Sequence, residues 1–117
     1  MSERRMFSKS VIDSDEFLTL PLTAQALYFH ISMRADDDGF INNPKIIQRM
    51  VGASANDMAS LIENGFVIPF ESGVLVIRHW LLNNYIRPDR KKPTIYQDEL
   101  GQLMIDQSCR YEFYEPI

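Results

Sequence analysis

SANDMASLIENGFVIPFESGVLVIRHW, residues 54–80, decides the reading of this chain. Ser54 and Asp57 stand at capping-box spacing, and Ala55, Met58, Leu61 and Ile62 follow on one helical face, so a helix is expected to open at Ser54 and end near Asn64. Gly65 suits the left-handed position that closes a helix. Residues 66–70 and 74–80 are rich in β-branched and aromatic side chains and are parted by Glu71, Ser72 and Gly73, a turn-length gap. A helix therefore feeds a two-stranded hairpin. Such a hairpin is marginal in water by itself, so the helices upstream must supply the surface on which it packs.

Upstream, Asn43-Pro44 reads as N-cap and first helical residue, where proline's missing N–H does no harm. The helix it opens is expected to carry Ile46, Ile47, Met50 and Val51 inward and Lys45, Gln48 and Arg49 outward, with Gly52 ending it. The short connection to Ser54 is helix-turn-helix spacing. Phe40-Ile41 is enough to add a short third strand. Before it, Thr23 is expected to cap a main helix with Ala24, Leu27, Ile31 and Ala35 on one stripe and Tyr28 beside it, ended by Asp36, Asp37, Asp38 and Gly39. Asp13 and Glu16 mark an earlier helical turn, and residues 4–12 read as an extended arm. The expected fold is α+β, mainly helical: a winged helix-turn-helix with a two- to three-stranded antiparallel wing sheet.

Past the hairpin, Pro88 and Pro93 discourage regular structure in RPDRKKP, residues 87–93. Thr94 and Gln97 have capping-box spacing for a last helix bearing Tyr96, Leu100, Leu103 and Met104, weakened by Gly101. The expected division is residues 1–93 as a winged-helix domain with its arm and basic post-wing segment, and residues 94–117 as a C-terminal helix and tail. Tyr111, Phe113 and Tyr114 of that tail read as packing groups or as part of a disordered end, with a partner-binding peptide as the further alternative.

At 117 residues the chain is one domain, with a net charge of -4 that is unevenly spread. In residues 78–93, Arg78, Arg87, Arg90, Lys91 and Lys92 face one acid, Asp89, a local charge of +4 against -8 on the rest. A single cysteine, Cys109, cannot form an internal disulfide, no apolar run approaches the ~18 residues of a membrane span, and MSERRMFSKS lacks a secretory core; together these point to the cytoplasm. Enzyme signatures are missing: there is no Gly-rich phosphate loop, nucleophile elbow or metal-spaced pair of histidines or cysteines. His30 and Cys109 read as structural, and His79, at a strand end beside Trp80, reads as a packing residue or, as the alternative, a phosphate contact. A calcium loop counted from Asp36 or Asp37 would put Ile47 or Gln48 where a carboxylate is required, so no metal or cofactor is expected.

Nucleic-acid binding fits the fold better than the charge. The second helix of the pair offers Asn56, Ser60 and Asn64 outward but also Asp57 and Glu63, with no Lys or Arg. Phosphate contacts, which dominate affinity, must then come from Arg78, Arg87, Arg90, Lys91 and Lys92 and from Arg4, Arg5 and Lys9 of the arm. Tyr85 and Tyr96 flank the basic run, and read either as packing on the domain or, as the alternative, as stacking surfaces for unpaired bases.

The pieces ALYFHISMRADDDGF, NNPKIIQRMVG, and HW followed by YIRPDRKKPTIY give the chain, to about Glu99, a resemblance to the N-terminal winged-helix domain of phage and mobile-element replisome organisers of Gram-positive bacteria, the DnaD-related replication initiation proteins. That resemblance implies a role in starting replication, binding origin or forked DNA and helping to recruit a replicative helicase or helicase loader. The partners considered are therefore DNA, whether duplex, forked or single-stranded, that helicase or loader, and a second copy of the chain. It carries over no catalytic residue, only the basic YIRPDRKKPTIY segment. The alternatives are a winged-helix transcription regulator binding a palindrome as a dimer, and a protein-interaction module without DNA contact.

Overall fold

The computed structural model describes residues 4–113. In chain order the elements are α1 (Lys9–Ile12), α2 (Asp15–Leu18), α3 (Leu22–Met33), β1 (Phe40–Ile41), α4 (Pro44–Met50), α5 (Ala55–Glu63), β2 (Val67–Pro69), β3 (Leu75–Ile77), α6 (Trp80–Asn83), α7 (Gln97–Leu100), β4 (Leu103–Ile105) and β5 (Tyr111–Phe113). The fold is α+β, with an antiparallel sheet ordered β1-β3-β2 and a separate β4-β5 hairpin. Among the described residues no helix is long and apolar enough to cross a membrane.

The stretch 54–80 folds as its sequence suggests. The Ser54 hydroxyl accepts the Asp57 N–H at 3.2 Å, while Asp57 Oδ2 accepts the Ser54 N–H at 2.9 Å, which satisfies two donors that the helix start leaves open. Met58 and Leu61 then face the core built around Ala24, Leu27, Tyr28 and Ile31 of α3. Gly65, at φ 76°, turns the chain into β2. Val67 pairs with Ile77, and Phe40 pairs with Val76 on the other side of β3. Pro69 closes the edge strand β2, where its missing N–H breaks no ladder. Leu75, Val76 and Ile77 are all buried, so both faces of the central strand are covered.

The β4-β5 hairpin supplies part of that cover, and it replaces the long C-terminal helix expected after Thr94. Helix α7 lasts one turn. Asp106 Oδ1 accepts the N–H groups of Ser108 and Arg110 at 2.8 and 3.0 Å, a side-chain-supported turn in which Cys109 takes φ 60° and the chain reverses. Reversal brings Tyr111 inward, where its N–H donates to Arg78 O at 3.0 Å and its hydroxyl to Asp38 O at 2.9 Å. Tyr111 therefore packs on the domain, and Tyr114 lies outside the described residues.

Other expectations are corrected by tertiary partners. Thr23 does not cap α3, which starts at Leu22 behind Pro21; its hydroxyl donates instead to Asp57 Oδ1 at 2.8 Å, tying α3 to the start of α5. Ser14, not Asp13, caps the early turn. The arm is not wholly extended, because Ser8 caps the single turn α1, and Asn84 and Asn83 accept the Met6 and Ser8 N–H groups at 2.8 Å each. In α4 only Ile47 is buried, while Ile46 and Met50 are 53% and 64% exposed.

Candidate nucleic-acid interface

Asn56, Ser60 and Asn64 recur every four residues, so they form one ridge along α5, with Asn56 and Asn64 exposed and Ser60 half-buried. Asn64 Nδ2 donates to Ser60 O at 2.7 Å, which fixes the end of the ridge. Beyond it comes Arg78, just past the end of β3. Its guanidinium covers the turn after α5, since a methyl group at Gly65 would sit 3.4 Å from Arg78 Nη1, and it pairs with Glu112 of β5.

The basic segment takes a different position. Asp36 Oδ1 accepts the N–H groups of Asp38 and Phe40, folding the aspartate run into a tight loop whose other carboxylate oxygens take donors from elsewhere in the chain. The chain after β3 and α6 returns to them. Lys91 Nζ lies 2.5 Å from Asp38 Oδ1, the Lys92 N–H donates to Asp37 Oδ2 at 2.9 Å, and the Thr94 N–H and hydroxyl donate to Asp38 and Asp36 at 2.8 and 2.5 Å. Three adjacent carboxylates would repel one another, and these donors offset that repulsion. Thr94 thus acts as a strap and not as a helix cap.

The loop also receives the arm. Arg5 Nη1 meets Asp37 Oδ1 at 3.2 Å, Arg5 Nη2 donates to Ala35 O at 2.7 Å, and the guanidinium lies 5.0 Å from the Trp80 ring centroid. With a side chain only 4% exposed, Arg5 is part of the fold and is turned away from any external phosphate. Of the other cations, Arg87 pairs with Asp89 at the surface, Arg4 and Lys9 are exposed, and the side chains of Arg90 and Lys92 are exposed without a hydrogen-bond or ion-pair partner among the described residues. Tyr85 is 74% exposed and open to stacking, whereas Tyr96 is half-buried against Phe40 with ring centroids 6.1 Å apart.

Two concavities accompany these surfaces. A cleft of about 670 Å³ beside the aspartate loop is lined by Met33, Ile41, Pro93, Ile95 and Tyr96 among others. A second, of about 470 Å³, opens where the end of α5 meets the first helical turns and the β4-β5 turn. Asn64, Arg78, His79, Ser108 and Arg110 line it, with Glu16. Burial pulls the His79 pKa down to about 4, helped by the positive charges of Arg78 and Arg110, so the imidazole is neutral at pH 7.

The predicted site residues therefore fall into groups. Asn56, Ser60, Asn64 and Arg78 lie together along α5 and just past β3; Lys91 and Lys92 lie beside the aspartate loop, on the same segment as Arg87 and Arg90; Arg5 belongs to neither. Sequence reasoning missed Arg110 as a lining group, because the β4-β5 turn that carries it was read as part of an irregular tail, and it weighed His79 mainly as a packing residue. Among the described residues no group of three or more His, Cys, Asp or Glu side chains is placed to hold a metal ion. Comparison of the chain with protein-family models, curated proteins and solved structures finds no match.

Proposed function

We propose that the chain is a DNA-binding protein of winged-helix type that acts at the start of replication in the cytoplasm. The observation that carries this reading is the uninterrupted surface from the polar ridge of α5 to Arg78, on a helix pair followed by a three-stranded sheet. Asn and Ser side chains on such a ridge can hydrogen-bond base edges, and arginine at its end can hold a phosphate. Arg90, Lys92 and the exposed Tyr85 add a second contact zone suited to a backbone with unpaired bases. Replication, and recruitment of a helicase or its loader, rest on the resemblance to replisome organisers. Anisotropy with duplex, forked and single-stranded DNA across a salt series tests the reading: binding that weakens steeply with salt supports it, and no binding to any of the three at low salt refutes it.

A second reading draws on α4. Ile46 and Met50 expose apolar surface on a helix that leads directly into the cation-free α5, a combination suited to docking a protein partner with basic residues beside an apolar contact. Loss of DNA binding with intact folding would favour it.

A further inference from the structure

We propose that the 470 Å³ cavity bounded by Arg78, His79, Arg110, Asn64 and Ser108 is a binding site for a phosphate group, carried either by a free nucleotide or by nucleic acid. The site goes beyond the DNA-binding reading, because a free phosphate monoester should bind there without any nucleic acid. Two guanidinium groups reach the cavity from different strands' ends, and neither is saturated. Arg78 uses Nη2 on Glu112 and Arg110 uses Nε on Asp106 at 3.1 Å; Arg78 Nη1 and Nε and both terminal nitrogens of Arg110 have no acceptor among the described residues. Guanidinium forks with open donors match the oxygens of a phosphate better than a lysine would. The Ser108 hydroxyl is likewise without a partner among the described residues. Both guanidinium groups keep their planes oriented by carboxylates, Glu112 and Asp106, so less ordering is left for the ligand to impose. Val11, Phe66 and Leu82 give the cavity an apolar side, and its volume lies in the range of small-molecule sites, room for more than the phosphate itself. Glu16 on the lining opposes an anion, which supplies a test of sign.

The experiment is an amide-resolved NMR titration of the full chain with inorganic phosphate, deoxyadenosine monophosphate and deoxyadenosine. Phosphate and the nucleotide should shift the amides of Asn64, His79, Ser108 and Arg110, and the nucleoside should not. Arg110→Gln should weaken nucleotide binding about tenfold or more, from the loss of charge-assisted bonds. Glu16→Gln, at an exposed position where folding is not at stake, should tighten it. A short oligonucleotide with a 5′-phosphate, compared with its 5′-hydroxyl form, assigns the source: shifts with the first alone indicate a terminal phosphate, shifts with both a backbone phosphate, and either supports the site. Absence of shifts with native protein, equal response to the nucleoside, or weaker binding by Glu16→Gln overturns the assignment.

Discussion

Asp57 holds the candidate recognition helix at both ends of its setting, and its replacement gives a sharp expectation. Its carboxylate accepts the Ser54 N–H at 2.9 Å and the Thr23 hydroxyl at 2.8 Å, with only 6% of the residue exposed. The first bond starts α5; the second fixes α5 against α3. Asp57→Ala removes both, and bonds to a charged group contribute about 1.5–3 kcal/mol each, less where solvent competes, so a loss of roughly 2–4 kcal/mol is expected. At ~4 °C per kcal/mol for a chain of this size, the melting temperature should fall by about 8–16 °C. Ser54→Ala, which loses only the cap hydroxyl, should cost about 0.5–2 kcal/mol. Thr23→Val in the native background and in Asp57→Ala completes a double-mutant cycle by urea unfolding, with a coupling of about 1 kcal/mol expected from the shared bond. An Asp57→Ala loss below ~1 kcal/mol, or zero coupling to Thr23, would refute the account of how α5 is set.

Three further expectations follow from the fold. Gly39 and Gly73 both sit at φ 91°, but a methyl group at Gly39 would lie 2.7 Å from Trp80 Cγ while Gly73 has nothing within 4 Å; Gly39→Ala should therefore cost about 2–5 kcal/mol by denaturation and Gly73→Ala only about 1–2. Equal losses would remove the Trp80 contact from the argument. His79, neutral in the fold with its pKa lowered from 6.5 to about 4, binds its proton more readily when unfolded; stability from this group is full above pH 6.5 and declines as pH falls toward 4, and His79→Phe should flatten that part of the stability profile. An unchanged slope in the variant would contradict the assigned burial. Asp38→Asn, which removes the charge facing Lys91 and the carboxylate that accepts the Thr94 N–H, should free the segment after β3 and raise tryptic cleavage within residues 87–92 about tenfold, whereas an unchanged rate would show that the strap does not hold it.

What could be read from the sequence was local. The capping box at Ser54, the Gly65 turn, the hairpin and the short strand at Phe40 all depend on residues within a few positions of one another, and all stand in the fold. The misreadings share a different cause. Thr23 and Thr94 have the right chemistry for helix caps, yet each finds an aspartate more than thirty residues away, Asp57 and Asp36, a pairing no local pattern encodes. Ile46 and Met50 fit an inward stripe by spacing, but α4 is seven residues long and buries Ile47 alone among them. The spacing of Tyr96, Leu100, Leu103 and Met104 imitates a helix; Gly101 and the Asp106-supported turn divert the chain into a hairpin instead. The basic run was legible as charge, but its partner, the aspartate loop, was legible only as a helix stop. Opposite charge on two segments fifty residues apart was the available signal.

The central claim is that α5 and the wing meet DNA, with phosphates held by cations that the fold leaves available. The most direct measurement compares DNA affinity and its salt dependence for the native chain, for Arg90→Glu with Lys92→Glu, and for Asn56→Ala with Ser60→Ala and Asn64→Ala. The account predicts that the charge reversals weaken binding to all sequences and lower the salt slope by about 2, roughly one for each lost phosphate contact. The α5 triple variant should lose sequence or structure preference while keeping its slope. Native protein that binds no DNA at low salt, or charge-reversed protein that binds with an undiminished slope, would contradict it.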